Sequence, residues 1–189
     1  MKPQTTIPPH SIAFLRAMNV GGHTVKMDHL RTLFEALGLS KVETFIASGN
    51  VIFESPTEPA ATLETRIEQH LKQALGYEVA TFIRSAGELA ALMHYQPFAT
   101  HELEEERNTL YIAFLRAAPS IEAQQKLMAL RNEIDDFQVH EREVYWLCRK
   151  KISESSVSGG LLEKTLGMAA TIRNTTTVNK LAARYGTRR

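Results

Sequence analysis

Three features of this 189-residue sequence predict an α+β protein made of two similar halves. Residues 12–17 and residues 112–117 both read IAFLRA, and such a repeat of six residues indicates an internal duplication. Each copy is followed by the same alternation of short apolar runs and helical stripes, and a polar stretch separates the copies. The order β-α-β-β-α-β in each half predicts two ferredoxin-like subdomains, with antiparallel sheets and helices on one face.

The first half begins with a strand over 11–17, followed by a loop over 18–25. Both faces of this strand are apolar, so we expect the other half or a partner subunit to cover the second face. Gly38 marks the end of the next element, a helix. That helix is predicted by the i, i+3, i+4, i+7 spacing of its apolar residues, which are Leu30, Leu33, Phe34 and Leu37.

Two short strands over 42–48 and 51–54 are rich in residues that favour β structure. Gly49 and Asn50 lie between them and predict a two-residue hairpin turn of type II′. Such a turn requires a positive φ at its first central residue, and glycine adopts that conformation without strain. We therefore expect a positive φ at Gly49.

A second helix ends at Gly76 and leads to a strand over 77–84. Ser85 and Glu88 form a capping box, which opens a short helix that continues to about Tyr95. The second helix is predicted by apolar residues at a spacing of four, namely Leu63, Ile67, Leu71 and Leu75.

The second half starts with a strand over 109–116, and two further strands over 136–140 and 142–148 turn at Glu141. A helix over 161–166 and an extended segment over 168–172 follow. Two more helices are predicted by apolar stripes, one with Ala123, Leu127, Leu130 and Ile134 and the last with Val178, Leu181, Ala182 and Tyr185.

These elements predict four segments. Residues 1–10 contain three prolines and are expected to be a disordered tail. The first subdomain covers 11–95 and the second covers 109–189. Residues 96–108 are expected to be a linker, whose glutamates we interpret as a solvated turn.

The C-terminal end of the chain is basic. Residues 149–189 carry nine basic and two acidic side chains, a net charge of +7, whereas the whole chain has a net charge of +1. At about 100° per residue, Arg173, Lys180 and Arg184 fall within about 40° on the last helix. Such a stripe could contact phosphate groups, or it could be an ordinary solvated face.

The loop after the first strand and the hairpin between the next two strands lie at the same end of a ferredoxin-like sheet. Their glycines and small polar residues offer exposed N–H groups, which could bind an anion. The alternative is that both loops are only tight turns. The candidate residues are Asn19, Gly21, Gly22, His23, Ser48, Gly49 and Asn50.

Residues 14–55 read FLRAMNVGGHTVKMDHLRTLFEALGLSKVETFIASGNVIFES. This run resembles a bacterial family called domain of unknown function 1697, with a pattern close to LRGINVGG, a leucine-rich helix and TYIQSGNVVF. Residues 170–178, ATIRNTTTV, resemble the family segment TTRNWNTV and add Asn174 to the candidates. The resemblance implies two ferredoxin-like subdomains and no known activity. Thr175 stands where the family has tryptophan.

Several functional classes are not expected. No apolar run approaches the ~18–20 residues that span a bilayer, and the N-terminus lacks a secretory signal, so we expect a cytoplasmic protein. One cysteine excludes a disulfide framework. The seven histidines form no HxH or HExxH pattern, so no metal is expected, and no Walker loop or GxGxxG motif is present, so no cofactor is expected.

Three functional hypotheses remain at this point. The first is binding of a phosphate-bearing ligand, nucleic acid or nucleotide, through the first-half loops and the basic helix. The second is a small-molecule enzyme with a pocket between the subdomains, and the third is a structural or protein-interaction module. Enzyme activity and homo-oligomerisation are left open by the sequence.

Overall fold

The computed structural model describes residues 10–16, 18, 24–46, 49–54 and 58–186. The chain divides into two compact units, Met1–Ala90 with Tyr185–Arg189, and Ala91–Arg184. Each unit contains one four-stranded sheet in which all neighbouring strands are antiparallel.

The first unit has the strand order β2-β3-β1-β4. Helices α1 and α2 pack on one face of this sheet, where leucines and phenylalanines form a continuous core. The elements are β1 (His10–Leu15), α1 (Met27–Glu35), β2 (Ser40–Thr44), β3 (Asn50–Glu54), α2 (Ala60–Leu75), β4 (Thr81–Ser85) and α3 (Ala86–His94).

The second unit has the order β6-β7-β5-β8, so the two sheets share one topology and the predicted ferredoxin-like plan is confirmed. The two IAFLR strands, β1 and β5, are central in their sheets. The remaining elements are α4 (Thr100–Glu104), β5 (Thr109–Leu115), α5 (Ile121–Met128), β6 (Asp135–His140), β7 (Glu143–Cys148), a 3-10 turn (Ile152–Glu154), α6 (Gly159–Leu166), β8 (Ala170–Asn174) and α7 (Thr175–Tyr185).

The two sheets also bury an arginine at the same position of the ladder. Arg84 pairs with Ile12, and Arg173 pairs with Ile112. Both arginines are buried, and in both cases Nη1 donates a hydrogen bond to the carbonyl oxygen of the preceding residue, at 2.9 and 3.0 Å. The internal repeat therefore includes equivalent side-chain contacts of two arginines that lie outside the IAFLRA segments.

Glutamates on the helices accept hydrogen bonds from the backbone of the edge strands β4 and β8. Glu64 and Glu68 on α2 accept hydrogen bonds of 2.8 Å from the backbone N–H groups of Ile83 and Thr81. Glu163 on α6 accepts an equivalent bond of 2.8 Å from the first residue of β8. Because an unpaired strand edge can pair with another chain, these carboxylates satisfy the backbone and protect the edge.

The second faces of both sheets are buried as well. Ile12, Phe14, Ile112 and Phe114 are all at most 2% exposed. This agrees with the expectation of two apolar faces.

The predicted two-residue turn at Gly49 and Asn50 is wrong. β2 ends at Thr44, the Phe45 N–H donates to the carbonyl of Asn50 at 2.9 Å, and Asn50 already belongs to β3. The positive φ expected at Gly49 is confirmed, at +73°. Glycine adopts this left-handed conformation without strain at the residue that precedes β3.

Helix α5 is shorter than its apolar stripe predicts. It ends at Met128, so Leu130 and Ile134 are not helical. The reason is local: the side-chain oxygen of Asn132 accepts bonds from the N–H groups of Ile134 and Asp135 at 2.8 and 3.0 Å. This competing side-chain turn replaces the helical hydrogen bonds.

Other boundaries also shift. β4 begins only at Thr81, and β8 runs to Asn174 rather than ending at 172. The capping box is confirmed, because the N–H of Ser85 donates to Glu88 at 2.8 Å and the Glu88 N–H donates to the Ser85 hydroxyl at 3.2 Å. β1 starts at His10, inside the expected tail, and residues 1–9 lie outside the described residues.

Replacing Glu141 with glycine should stabilise the second unit. Glu141 is an exposed residue in the β6–β7 turn, with a φ of +52° that only glycine adopts freely. We expect Glu141→Gly to raise the free energy of unfolding by roughly 0.5–1 kcal/mol, measured by urea unfolding. The control is Arg142→Gly at the neighbouring turn residue, which is not among the residues with a positive φ. This substitution should lower the free energy of unfolding. Equal effects at both positions would contradict this account.

Candidate functional site

The unit Ala91–Arg184 contains a cleft of about 660 Å³. Its floor includes Ile112 and Tyr145, which pair across the β5–β7 ladder. Their neighbours Ala113 and Trp146 belong to the core under α5 and α6. Since side chains alternate along a strand, the floor lies on the opposite face of the sheet.

The lining of the cleft combines apolar residues with amide and hydroxyl groups. None of the described residues that line it is Asp, Glu, Lys or Arg. The apolar residues include Leu92, Leu103, Leu110 and Ile112. Amide and hydroxyl groups come from Gln96, Asn108, Thr109, Asn174, Thr175, Thr176 and Asn179.

Part of the polar lining comes from the junction at which β8 becomes α7. The side-chain oxygen of Asn174 accepts a hydrogen bond of 2.7 Å from the Thr176 N–H, as an N-cap does. The Thr175 hydroxyl donates to the carbonyl of Leu110 at 3.0 Å, which holds the first turn against β5. The positive end of the 11-residue helix dipole is therefore held at the cleft.

The segment expected to be a linker forms another wall. It contains α4, and the Asn108 amide donates to the carbonyl of Glu102 at 2.8 Å. Glu102 also forms an ion pair of 2.6 Å with Arg149, and this hydrogen bond lowers the pKa of the Glu102 carboxyl. The interpretation of these glutamates as a solvated turn is thus wrong for Glu102.

Tyr95 lines the cleft and contacts two other aromatic rings. Its ring is stacked on His140, with centroids 4.1 Å apart and an interplanar angle of 11°. It is also tilted against Tyr145, with centroids 4.9 Å apart at 46°. Two ring contacts fix the orientation of a half-buried side chain that lines the cleft.

Among the C-terminal candidates, the structure places Asn174 in the cleft lining. The predicted three-residue stripe is wrong for Arg173, which lies in β8 and is only 9% exposed, because α7 begins two residues later. Burial lowers the pKa of Arg173 to about 10, so it stays protonated at neutral pH. Lys180 and Arg184 are exposed on α7, whose opposite side is buried.

The first-half candidates are only partly described. Gly49 accepts a hydrogen bond of 2.8 Å from the Leu15 N–H, and the buried Asn50 amide donates to the carbonyl of Phe45 at 3.0 Å. The first contact joins the end of β1 to the residue before β3, and the second lies within the β2–β3 hairpin. The convergence of the two loops stays a prediction, because five residues lie outside the described residues: Asn19, Gly21, Gly22, His23 and Ser48.

Within the described residues, no group of three or more His, Cys, Asp or Glu side chains could hold a metal ion. Cys148 is buried, its thiol donates to the carbonyl of Lys150 at 3.2 Å, and burial raises its pKa. A thiol with a raised pKa is a poor nucleophile. None of the helices described has the length and apolar character needed to cross a bilayer.

Sequence reasoning missed most of the cleft. Thr175 and Thr176 lie four and three residues before Asn179, so these polar groups share one helix face, and that spacing could have identified them. Nothing in the local sequence identifies Tyr95, which lies close to His140 and Tyr145 only in the folded unit.

Fold and cleft together describe a duplicated ferredoxin-like protein with a polar ligand-sized cleft in its second unit. A family model described as Protein of unknown function (DUF1697) matches residues 9–145, and the chain belongs to this family. The β8–α7 junction, at residues 170–178, lies beyond the matched range.

A solved structure has the same fold. It is the conserved bacterial protein SP0830 from Streptococcus pneumoniae, with a TM-score of 0.71 and 21% sequence identity. The match covers 96% of this chain and 100% of that one. No curated protein sequence matches the chain.

Proposed function

We propose that the protein binds a small phosphate-bearing molecule in the cleft of its second unit. The observation that carries this proposal is the lining: amide and hydroxyl groups at the start of α7, with no acidic side chain among them. A volume of about 660 Å³ lies within the range of small-molecule sites.

The electrostatics of the cleft favour an anion over a cation. The first turn of α7 presents backbone N–H groups and the positive end of the helix dipole. Arg173, a buried cation at neutral pH, directly precedes the capping residue Asn174. A cationic ligand would meet this positive end without any carboxylate in the lining to neutralise it.

Nucleic acid is the second candidate ligand, and the exposure of Lys180 and Arg184 favours it. In that case both side chains contact phosphates and release counterions. Replacing both with alanine should then flatten the slope of log K against log salt by about 1.5 units. The first-half loops, with Asn19, His23 and their neighbours, remain a proposed further anion surface.

The cleft proposal is tested by placing a negative charge in it. Thr176 is exposed in the first turn of α7, where glutamate is compatible with the helix dipole and should leave stability unchanged. We expect Thr176→Glu to weaken binding of ribose 5-phosphate by at least about tenfold, because like charges repel at short range. Isothermal titration calorimetry measures the effect.

The control is the double variant Lys180→Ala/Arg184→Ala, which alters the same helix at residues that do not line the cleft. It should bind ribose 5-phosphate as the unmodified protein does. Absence of binding by the unmodified protein, or unchanged binding by Thr176→Glu, would refute the cleft as a phosphate site.

A further inference from the structure

We infer that the phosphate-bearing ligand also carries a planar aromatic ring, as a nucleotide does, and that this ring stacks on Tyr95. This inference rests on the proposed function and assigns the ligand class of the same cleft. It depends on three observations of the second unit: the fixed Tyr95 ring, the amide groups of the cleft lining and the apolar residues of the same lining.

The orientation of Tyr95 is set before any ligand arrives. His140 stacks on the ring at 4.1 Å, and Tyr145 contacts it at 4.9 Å. A side chain that is already ordered loses little conformational freedom on binding, so its contact contributes more to affinity. Bases stack on such aromatic side chains whatever their sequence, because every base has a π face.

Amide groups in the same lining can recognise the edge of a ring. Gln96 donates through Nε2 to the Thr100 hydroxyl at 2.7 Å, which orients its amide. Asn179 is exposed on α7, and Asn108 is held by its bond to Glu102. Side-chain amides both donate and accept hydrogen bonds, as the edge of a nucleobase does.

Apolar residues line the same cleft. Leu92, Leu110 and Ile112 can cover a ring but cannot solvate a sugar or a second phosphate. A ligand that joins a phosphate to an unsaturated ring matches both the polar and the apolar residues of the lining. A nucleoside monophosphate has this form.

The experiment compares AMP, adenosine and ribose 5-phosphate by isothermal titration calorimetry. In the unmodified protein and in Tyr95→Phe, AMP should bind about tenfold more tightly than ribose 5-phosphate, since stacking contributes that much per base. Tyr95→Leu keeps an apolar side chain but removes the ring, so it should abolish the preference for AMP over ribose 5-phosphate. Thermal melting confirms that each variant is folded.

The outcomes separate this inference from the proposed function. Equal affinity for AMP and ribose 5-phosphate overturns the ring inference alone, as does a Tyr95→Leu variant that weakens both ligands alike. Equal affinity for adenosine and AMP supports the ring and overturns the phosphate site. Absence of binding by all three probes overturns both.

Discussion

Replacing Asp135 with alanine is expected to lower the free energy of unfolding by about 3–5 kcal/mol. Asp135 is fully buried and accepts hydrogen bonds from the Trp146 indole N–H at 2.8 Å, the Ser155 hydroxyl at 2.8 Å and the Asn132 amide at 3.1 Å. Alanine removes the acceptor of the Trp146 indole N–H, whereas Ser155 and Asn132 also contact the carbonyls of Val157 and Leu130. The indole lies in the core, where no water can replace the carboxylate.

The neighbouring residue provides a matched control. Asp136 is 26% exposed and pairs with Arg131 at 2.7 Å and with Arg149 at 3.3 Å. Because solvent screens such a pair, Asp136→Ala should cost about 1 kcal/mol or less. Urea unfolding followed by Trp146 fluorescence measures both variants. Similar losses for both would mean that the Asp135 contacts do not organise the second unit.

Gly49→Ala is expected to lower the free energy of unfolding by about 2–4 kcal/mol. Two costs combine at this position. The φ of +73° is unfavourable for alanine, and a Cβ would lie 2.8 Å from Cγ of Met18 and 3.1 Å from Cβ of Leu15. The hairpin would have to shift the end of β1 to accept the methyl group.

A substitution at Gly38 measures the backbone cost without the steric cost. Its φ is +78°, and a Cβ built there meets nothing within 4 Å. Gly38→Ala should therefore show the backbone cost alone, about 1 kcal/mol. Combining Gly49→Ala with Met18→Ala should recover part of the steric cost. If Gly38→Ala and Gly49→Ala lose the same stability, close packing against Met18 does not contribute.

The sequence predicted the architecture because the information that defines it is local and repeated. The IAFLRA copies identify both central strands, and glycines at 76 and 167 end α2 and α6 in the left-handed conformation. It failed where a side chain competes with the backbone, as Asn132 does at the end of α5. Such a turn forms where the side-chain hydrogen bond is stronger than the helical backbone hydrogen bond, and the spacing of apolar residues does not indicate which is stronger.

The candidate site was predicted less well for a physical reason. Asn174 became a candidate because residues 170–178 resemble a family segment, and the structure places it in the cleft lining. The predicted basic stripe wrongly included Arg173. Because β8 extends to Asn174, Arg173 is a buried residue of the strand ladder and not a surface cation of α7. Tyr95 has neighbours distant in sequence, His140 and Tyr145, so its ring contacts are apparent only in the folded unit.

The most direct test of the cleft as a phosphate site is a titration of ¹⁵N-labelled protein with ribose 5-phosphate, followed by amide NMR shifts. We predict saturable shifts at the backbone amides of Thr175, Thr176 and Asn179 and at the side-chain amides of Asn108 and Asn179, all of which line the cleft. Shifts that saturate only within Met1–Ala90, or no saturable shift at all, would contradict the proposed function.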